Sequence, residues 1–239
     1  MTDTTPHHAP ASQAGAASPG GQAPASTTHT PARIVLLGGN GYIGRAVTRE
    51  WLARDPDALI TVLCGSGHNE LNDPRVTTIK ADIHDRQAVS EALPTRIDYI
   101  ADFIGGPRND PDSLRRDNDE PADTMLQIAR QRKVKAMGFI GGTFGPKTFV
   151  STKRSIIERL RREGSPIPLA VVEPTVVYGA GRHDAIARAI PLLKFCGLFN
   201  HSMRPMRVEN VARTFVDRML AAGSGSAESS TTASQPQGR

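Results

Sequence analysis

Three glycines spaced three residues apart, Gly38, Gly41 and Gly44, punctuate the run Ile34-Val35-Leu36-Leu37-Gly38-Gly39-Asn40-Gly41-Tyr42-Ile43-Gly44. An apolar strand-like run leads into the first, and a helical pattern begins just after the second. In such a turn the first glycine permits a tight bend, the second lets backbone amides approach a ligand, and the third lets the helix pack closely on a sheet. Amides at a helix N-terminus lack intrahelical partners and the dipole is positive there, so the ligand should be an anion. A diphosphate joining two nucleosides is the expected one, which makes Gly38, Gly41, Tyr42, Ile43 and Gly44 candidate cofactor contacts. Metal chemistry is not expected, because Cys64 and Cys196 have no ligand spacing with each other or with a histidine.

A turn of this kind works only between a strand and a helix, and the flanking sequence supplies both. Arg33–Leu37 reads as a strand and Tyr42–Arg54 as a helix with Ile43, Val47 and Leu52 near one face. Further strands are expected at Leu59–Cys64, Val76–Lys80, Ile97–Ile104, Ala136–Ile140 and Pro168–Val172. Helices are expected at Gln87–Leu93, Pro121–Arg132, Ser151–Glu163, His183–Leu193 and Val208–Leu220, and the polar stretch Asp110–Asp119 reads as a mobile loop over the cleft. No internal repeat is apparent. Strands that are apolar throughout and separated by helices require crossover connections, hence a parallel sheet covered on both faces. The fold class is α/β: a doubly wound parallel sheet of the Rossmann type with a small C-terminal helical appendage.

The ends differ from the body. Residues 1–31 consist mainly of Ala, Ser, Thr, Pro, Gly, Gln and His without apolar periodicity, and 223–239 have a similar character. Neither stretch can offset its ordering entropy by burial, so both are expected to be disordered tails around a folded domain at 32–222, whose substrate-side segment from about residue 179 is short. No secretory signal or mitochondrial presequence is legible in the N-terminal stretch. With only two cysteines and no run approaching the roughly 20 apolar residues of a membrane span, a disulfide framework and a membrane protein are excluded and a reducing, cytoplasmic setting is expected. The 239-residue chain carries a net charge of +5. Its basic residues are scattered or gathered at expected helix ends, as at Arg130, Arg132, Lys133 and Lys135, which suits solvated faces and does not point to nucleic acid.

Taken in order, these motifs resemble those of the short-chain dehydrogenase/reductase superfamily, especially its extended and atypical branches related to sugar-nucleotide epimerases and dehydratases. The three-residue glycine spacing departs from the commonest dinucleotide fingerprint in the way those branches do. Lys80-Ala81-Asp82-Ile83 resembles the Asp-hydrophobic pair after the third strand, which implies that Asp82 contacts adenine beside Ile83. Gly105-Gly106 resemble the small residues lying against the cofactor, and Asn118 in Asn118-Asp119-Glu120-Pro121 a structural asparagine. Glu173-Pro174-Thr175-Val176-Val177-Tyr178-Gly179 is similar to an Arg-Pro-x-x-Val-Tyr-Gly run, with Glu173 in place of Arg. Met206-Arg207-Val208-Glu209-Asn210-Val211-Ala212 resembles the element opening the last helix. The resemblance extends over about Arg33 to Leu220.

It also implies a catalytic set, and here the chain departs. Hydride-transferring members use Tyr-x-x-x-Lys with a preceding Ser or Thr, because an alkoxide formed at a carbonyl needs a proton donor within hydrogen-bond reach, worth about 10² to 10⁴ in rate. The matching segment is Phe149-Val150-Ser151-Thr152-Lys153, so the phenol is missing. Thr143 occupies the hydroxyl position and Lys153 the ribose-binding position; Ser151 and Thr152 are expected only to cap a helix. Tyr178, His183 and Asp102 are secondary candidates for a proton donor, Asp102 only if its strand register exposes it, being otherwise a solvated turn carboxylate.

The residue ending the second strand ordinarily sets cofactor choice: an acid selects NAD, whereas its absence with nearby cations admits the extra phosphate of NADP. Cys64-Gly65-Ser66-Gly67-His68 offers no carboxylate, and Ser66, helped by Arg45 or His68, favours NADP slightly over NAD. Two functional readings stand. One is an oxidoreductase or epimerase/dehydratase acting on a small carbonyl or sugar-derived substrate. The alternative is a catalytically impaired cofactor-binding sensor or accessory subunit with a protein partner.

Overall fold

The computed structural model describes residues 30–179 and 205–232. The expected tail over residues 1–29, the end of the C-terminal tail beyond Thr232, the helix over His183–Leu193 and the residues His183 and Cys196 lie outside the described residues.

Six strands form one parallel sheet: β1 (Arg33–Leu37), β2 (Leu59–Cys64), β3 (Val76–Lys80), β4 (Tyr99–Asp102), β5 (Ala136–Ile140) and β6 (Leu169–Val172). Their spatial order is β3-β2-β1-β4-β5-β6. The direction of strand progression reverses between β1 and β4, which opens a crevice beyond their C-terminal ends. The helices are α1 (Tyr42–Arg54), α2 (Arg86–Ala92), α3 (Pro111–Arg132), α4 (Lys147–Gly164) and α5 (Val208–Thr232), with a two-residue ladder of β7 (Val177–Tyr178) and β8 (Met206–Arg207) preceding the last.

The unbroken apolar character of the strands has a direct cause. On β1, Ile34 and Leu36 point into one core with Trp51 and Phe215, while Val35 and Leu37 point into another with Met125, Phe139, Ile156 and Leu160. Side chains alternate along a strand, so a sheet covered by helices on both faces needs apolar residues at every position. Gly138 of β5 serves the same packing: a Cβ there would lie 2.5 Å from Phe215 Cζ and 2.7 Å from Met219 Sδ. The missing side chain lets α5 settle directly on the sheet.

Several boundaries differ from the sequence reading, each for a local reason. Asp110–Asp119, read as a mobile loop, is the start of α3: Asp110 accepts from the Ser113 N–H at 2.7 Å as N-cap, Pro111 opens the first turn, and Leu114 and Asn118 are buried. The charged residues hid the helix because they are its solvent face. Strand β4 is shorter than the Ile97–Ile104 run, since Asp102 closes a turn by accepting from the Ile104 N–H. Helix α4 starts at Lys147, four residues earlier than expected, so Ser151 and Thr152 do not cap it; Pro146 is its N-cap and Ser151 Oγ donates to the Thr148 carbonyl. Helix α5 continues past Leu220 to Thr232, so residues 223–232, read as tail, are helical. Gly223 makes that extension possible by resting against the Tyr99 ring, where a Cβ would lie 2.5 Å from the hydroxyl oxygen.

Candidate functional site

The glycine turn occupies the crevice between β1 and β4. Gly38 has φ +71°, and a Cβ on it would lie 2.7 Å from Ile104 Cγ1. Its amide donates to the Leu63 carbonyl at 2.8 Å, which ties the turn to the end of β2. Gly44 is packed more tightly still, since a Cβ there would lie 2.6 Å from Gly39 Cα and 2.8 Å from the Gly38 oxygen. The first turn of α1 therefore rests on the bend with no intervening side chain. Gly41 is the N-cap of α1, contributes no side-chain cap, and no acidic residue occupies the first turn. An uncapped helix start of this kind leaves amides and dipole available to an anion. Those three features make a cradle that fits a dinucleotide diphosphate.

Two cavities lie on either side of Ile104. One, about 700 Å³, is bordered by Gly38, Cys64, Gly65, Lys80, Ala81, Asp82, Ile83 and Ile104. Asp82 is exposed and accepts from the His84 N–H at 3.0 Å, and Ile83 is buried, so both residues named from the sequence border this space. At the end of β2, Cys64 is buried and the His68 N–H donates to Ser66 Oγ at 3.2 Å. Arg45 is engaged by Glu70 in an ion pair. Lys80, which the sequence reading overlooked, pairs in register with Cys64 and lays its aliphatic stem along Gly67, whose added Cβ would sit 2.9 Å from Lys80 Cβ. Its position as the last residue of β3, opposite the selectivity residue of β2, was the available signal.

The second cavity, about 450 Å³, is bordered by Tyr42, Ile43, Phe103–Pro107, Ile140–Gly142, Phe144–Pro146, Phe149, Lys153 and Pro174–Val177. Gly105 has φ +113° and faces Asn118, whose Nδ2 donates to the Gly106 carbonyl at 3.0 Å and to the Leu114 carbonyl at 2.8 Å. The asparagine thus fixes the loop that floors the cavity, from the middle of α3 and not from a helix start. Thr143 is exposed and is not among the bordering residues, although Gly142 and Phe144 on either side of it are; its amide donates to the Pro174 carbonyl at 3.2 Å. Glu173 is exposed at the end of β6 and leans over Gly141, and Tyr178 is half-buried on β7.

Lys153 lies in the second turn of α4, not at its start, and is 4% exposed. Its Nζ donates to the Ile104 carbonyl at 3.4 Å and stands 4.6 Å from the Phe139 ring centre and 5.9 Å from that of Phe149. Burial lowers its basicity, while Asp102 and Asp119 pull it partly back. Asp102 is neither exposed to substrate nor a solvated turn residue, because it is 1% exposed and points into the core on the α3/α4 side. Burial raises its carboxyl to about 7, against the opposing pull of Lys153 and the Ile104 N–H.

Comparison with known proteins agrees with this geometry. The NAD dependent epimerase/dehydratase family model matches residues 34–156, just over half of the chain. A UDP-glucose 4-epimerase of Lacticaseibacillus casei is 28% identical over 130 residues, which cover 51% of this chain and 39% of that protein. One from Lactobacillus helveticus is 32% identical over 72 residues, covering 30% of this chain and 22% of its own length. The chain therefore aligns with well under half of either relative. A crystal structure of UDP-glucose 4-epimerase superposes with a TM-score of 0.63 at 16% identity, covering 81% of this chain and 74% of that one. The Bordetella bronchiseptica enzyme WbmH, solved in complex with NAD+, gives 0.60 at 14% identity, covering 80% and 73%. At such identities the structures attest the Rossmann fold, while the family model reaches from the glycine turn through Lys153. The protein has a nicotinamide-dinucleotide site of the short-chain dehydrogenase/reductase kind, and the chain belongs to the NAD dependent epimerase/dehydratase family.

Proposed function

We propose that this protein is an NAD(P)-dependent oxidoreductase or epimerase/dehydratase acting in the cytoplasm on a small carbonyl or sugar-derived substrate, with a preference for NADP. The observation that carries the reading is the placement of a buried lysine, Lys153, at the wall of a cavity that opens from the dinucleotide cradle. A bound nicotinamide would supply or withdraw hydride at a substrate carbon there. The chain's own groups then have assignable tasks. The Gly38–Gly44 bend and the start of α1 hold the diphosphate, Asp82 and Ile83 border the adenine, and Gly105 lies against the cofactor. Lys153 holds the nicotinamide ribose. Thr143, between two bordering residues, orients the substrate oxygen from the rim. Phe103, Phe144, Phe149, Pro146 and Pro174 keep water from the cavity, which strengthens every polar interaction inside it.

The preference for NADP rests on Lys80 and Ser66 beside the end of β2, where no carboxylate repels a phosphate; Arg45, paired with Glu70, contributes less than the sequence suggested. Family membership supports turnover over the accessory-subunit alternative. Phe149 means that the proton must come from a group other than the usual phenol.

Fluorescence titration with NADPH and NADH tests the reading. Both should bind, NADPH more tightly, and Lys80→Gln should narrow the difference. Gly41→Val should abolish binding; residue 41 has φ −68° and ψ 170°, a backbone valine adopts, but its Cβ would lie 3.1 Å from the Gly38 oxygen, so the melting temperature should fall as well. Thr143→Val should lower kcat/KM with nucleotide affinity unchanged. Absence of binding to either nucleotide by the wild-type protein would overturn the reading.

A further inference from the structure

The family reading assigns no task to Asp102, yet this carboxyl is a conspicuous group in the floor of the site. It lies in register with Leu37 of β1 and Phe139 of β5, both buried. Its Oδ1 accepts from the Ile104 N–H at 2.8 Å, while its Oδ2 is buried with no hydrogen-bond partner. A buried carboxylate oxygen left in that state costs free energy unless a nearby charge compensates.

The compensating charge is Lys153. Its Nζ reaches the carbonyl of the same residue, Ile104, whose amide Asp102 holds. One peptide segment is thus gripped from both ends, by a carboxylate accepting from its N–H and an ammonium donating to its carbonyl. Ile104 borders both the adenosine and the nicotinamide cavities, and its side chain abuts Gly38 of the diphosphate bend. Any shift of this segment moves the floor of the whole dinucleotide site.

Resting on the cofactor-binding reading above, we propose that Asp102 is a positioning residue: its carboxylate, together with Lys153, clamps Ile104 under the dinucleotide and keeps the Lys153 ammonium charged and aimed at the ribose. The clamp closes when Asp102 is ionised and loosens when it is protonated. From α3, Asp119 acts on Lys153 and is itself bound by Arg159 of α4 at 3.2 Å; in register with Asp102 on β1 and β5 stand the apolar Leu37 and Phe139.

The test compares the wild-type protein with Asp102→Asn and Lys153→Met, and with Asp102→Ser in case the amide variant misfolds. NADPH affinity is measured by fluorescence from about pH 6 to about pH 8. Wild-type affinity should strengthen as pH rises through about 7, the value to which burial raises the Asp102 carboxyl. Asp102→Asn should bind about tenfold more weakly and lose that pH step, the loss expected for one charge-assisted contact. Lys153→Met should lose the step as well. An Asp102→Asn protein that keeps both the affinity and the step overturns the proposal. A readout independent of nucleotide is the titration of Lys153 by NMR of lysine side chains in the protein alone. Removing the carboxylate should lower the lysine titration point by about one pH unit or more. An unchanged titration also overturns the proposal, whereas a shifted titration in a chain that binds no nucleotide supports the clamp and overturns only the cofactor reading.

Discussion

The Tyr42 hydroxyl donates to the Gly179 carbonyl oxygen at 2.7 Å, joining the first turn of α1 to the strand end beyond β7 across 137 residues of sequence. Tyr42 belongs to the glycine bend, and Gly179, at φ +112°, follows β7. The bond therefore ties the glycine bend to the chain leaving β7. Tyr42→Phe should cost about 1 kcal/mol in denaturant unfolding, the usual net value of one such bond, and should weaken nucleotide binding by a comparable factor.

Gly44 makes a sharper prediction. Even one methyl at this position would fall within van der Waals distance of the Gly38 and Gly39 backbone, which has no flexible side chain to yield. Gly44→Ala should lift α1 off the bend, lower the melting temperature and abolish nucleotide binding, although alanine has the better helix propensity. A variant with wild-type melting temperature and affinity would contradict the packing described for this turn.

Phe149 borders the cavity that Lys153 lines, with its ring centre 5.9 Å from Lys153 Nζ. Phe149→Tyr adds a phenol beside an ammonium, which favours the phenolate and lowers its pKa. Turnover against a panel of aldehydes and ketones should rise by about 10² to 10⁴, the typical value of a positioned proton donor. No change in a folded, nucleotide-binding variant would show that another group already performs that task.

A last prediction concerns stability. Asp98, buried at the opposite end of the sheet, accepts from the Arg33 N–H at 2.9 Å and meets Arg96 at 3.0 Å and Lys135 at 3.1 Å. Burial pushes its carboxyl up, but the Arg33 amide, Lys135 and Arg96 together outweigh burial and hold it below the ordinary value. A lowered carboxyl contributes stability above its unfolded value and loses it as pH falls through the folded one. Asp98→Asn should thus cost about 1 to 2 kcal/mol near neutral pH, and the difference should shrink below about pH 4.

Much of the scaffold was legible because it depends on short-range pattern. The bounds of β1, α1, β2, β3 and β5 follow from apolar runs ending at glycine, proline or charge, and the glycine bend follows from its place between a strand and a helix. The start of α3 was not legible, since Asp110–Asp119 owes its helix to an N-cap and two buried positions, Leu114 and Asn118, rather than to an apolar stripe. Lys80 was missed because strand pairing, not sequence distance, brings it beside Cys64 and Gly67.

The sequence by itself determined the glycine bend and the absence of a phenol at position 149, because glycine's missing Cβ and phenylalanine's missing hydroxyl are properties of covalent structure that no fold alters. Only the tertiary structure decided the state of Asp102. The same aspartate would be an ordinary solvated carboxylate at the end of an exposed strand. The packing of β1, β5, α3 and α4 removes water from it, raises its pKa and leaves Lys153 as its counter-charge. Burial and electrostatic partnership depend on which distant residues meet, and those are set by the packing of the whole sheet and its helices.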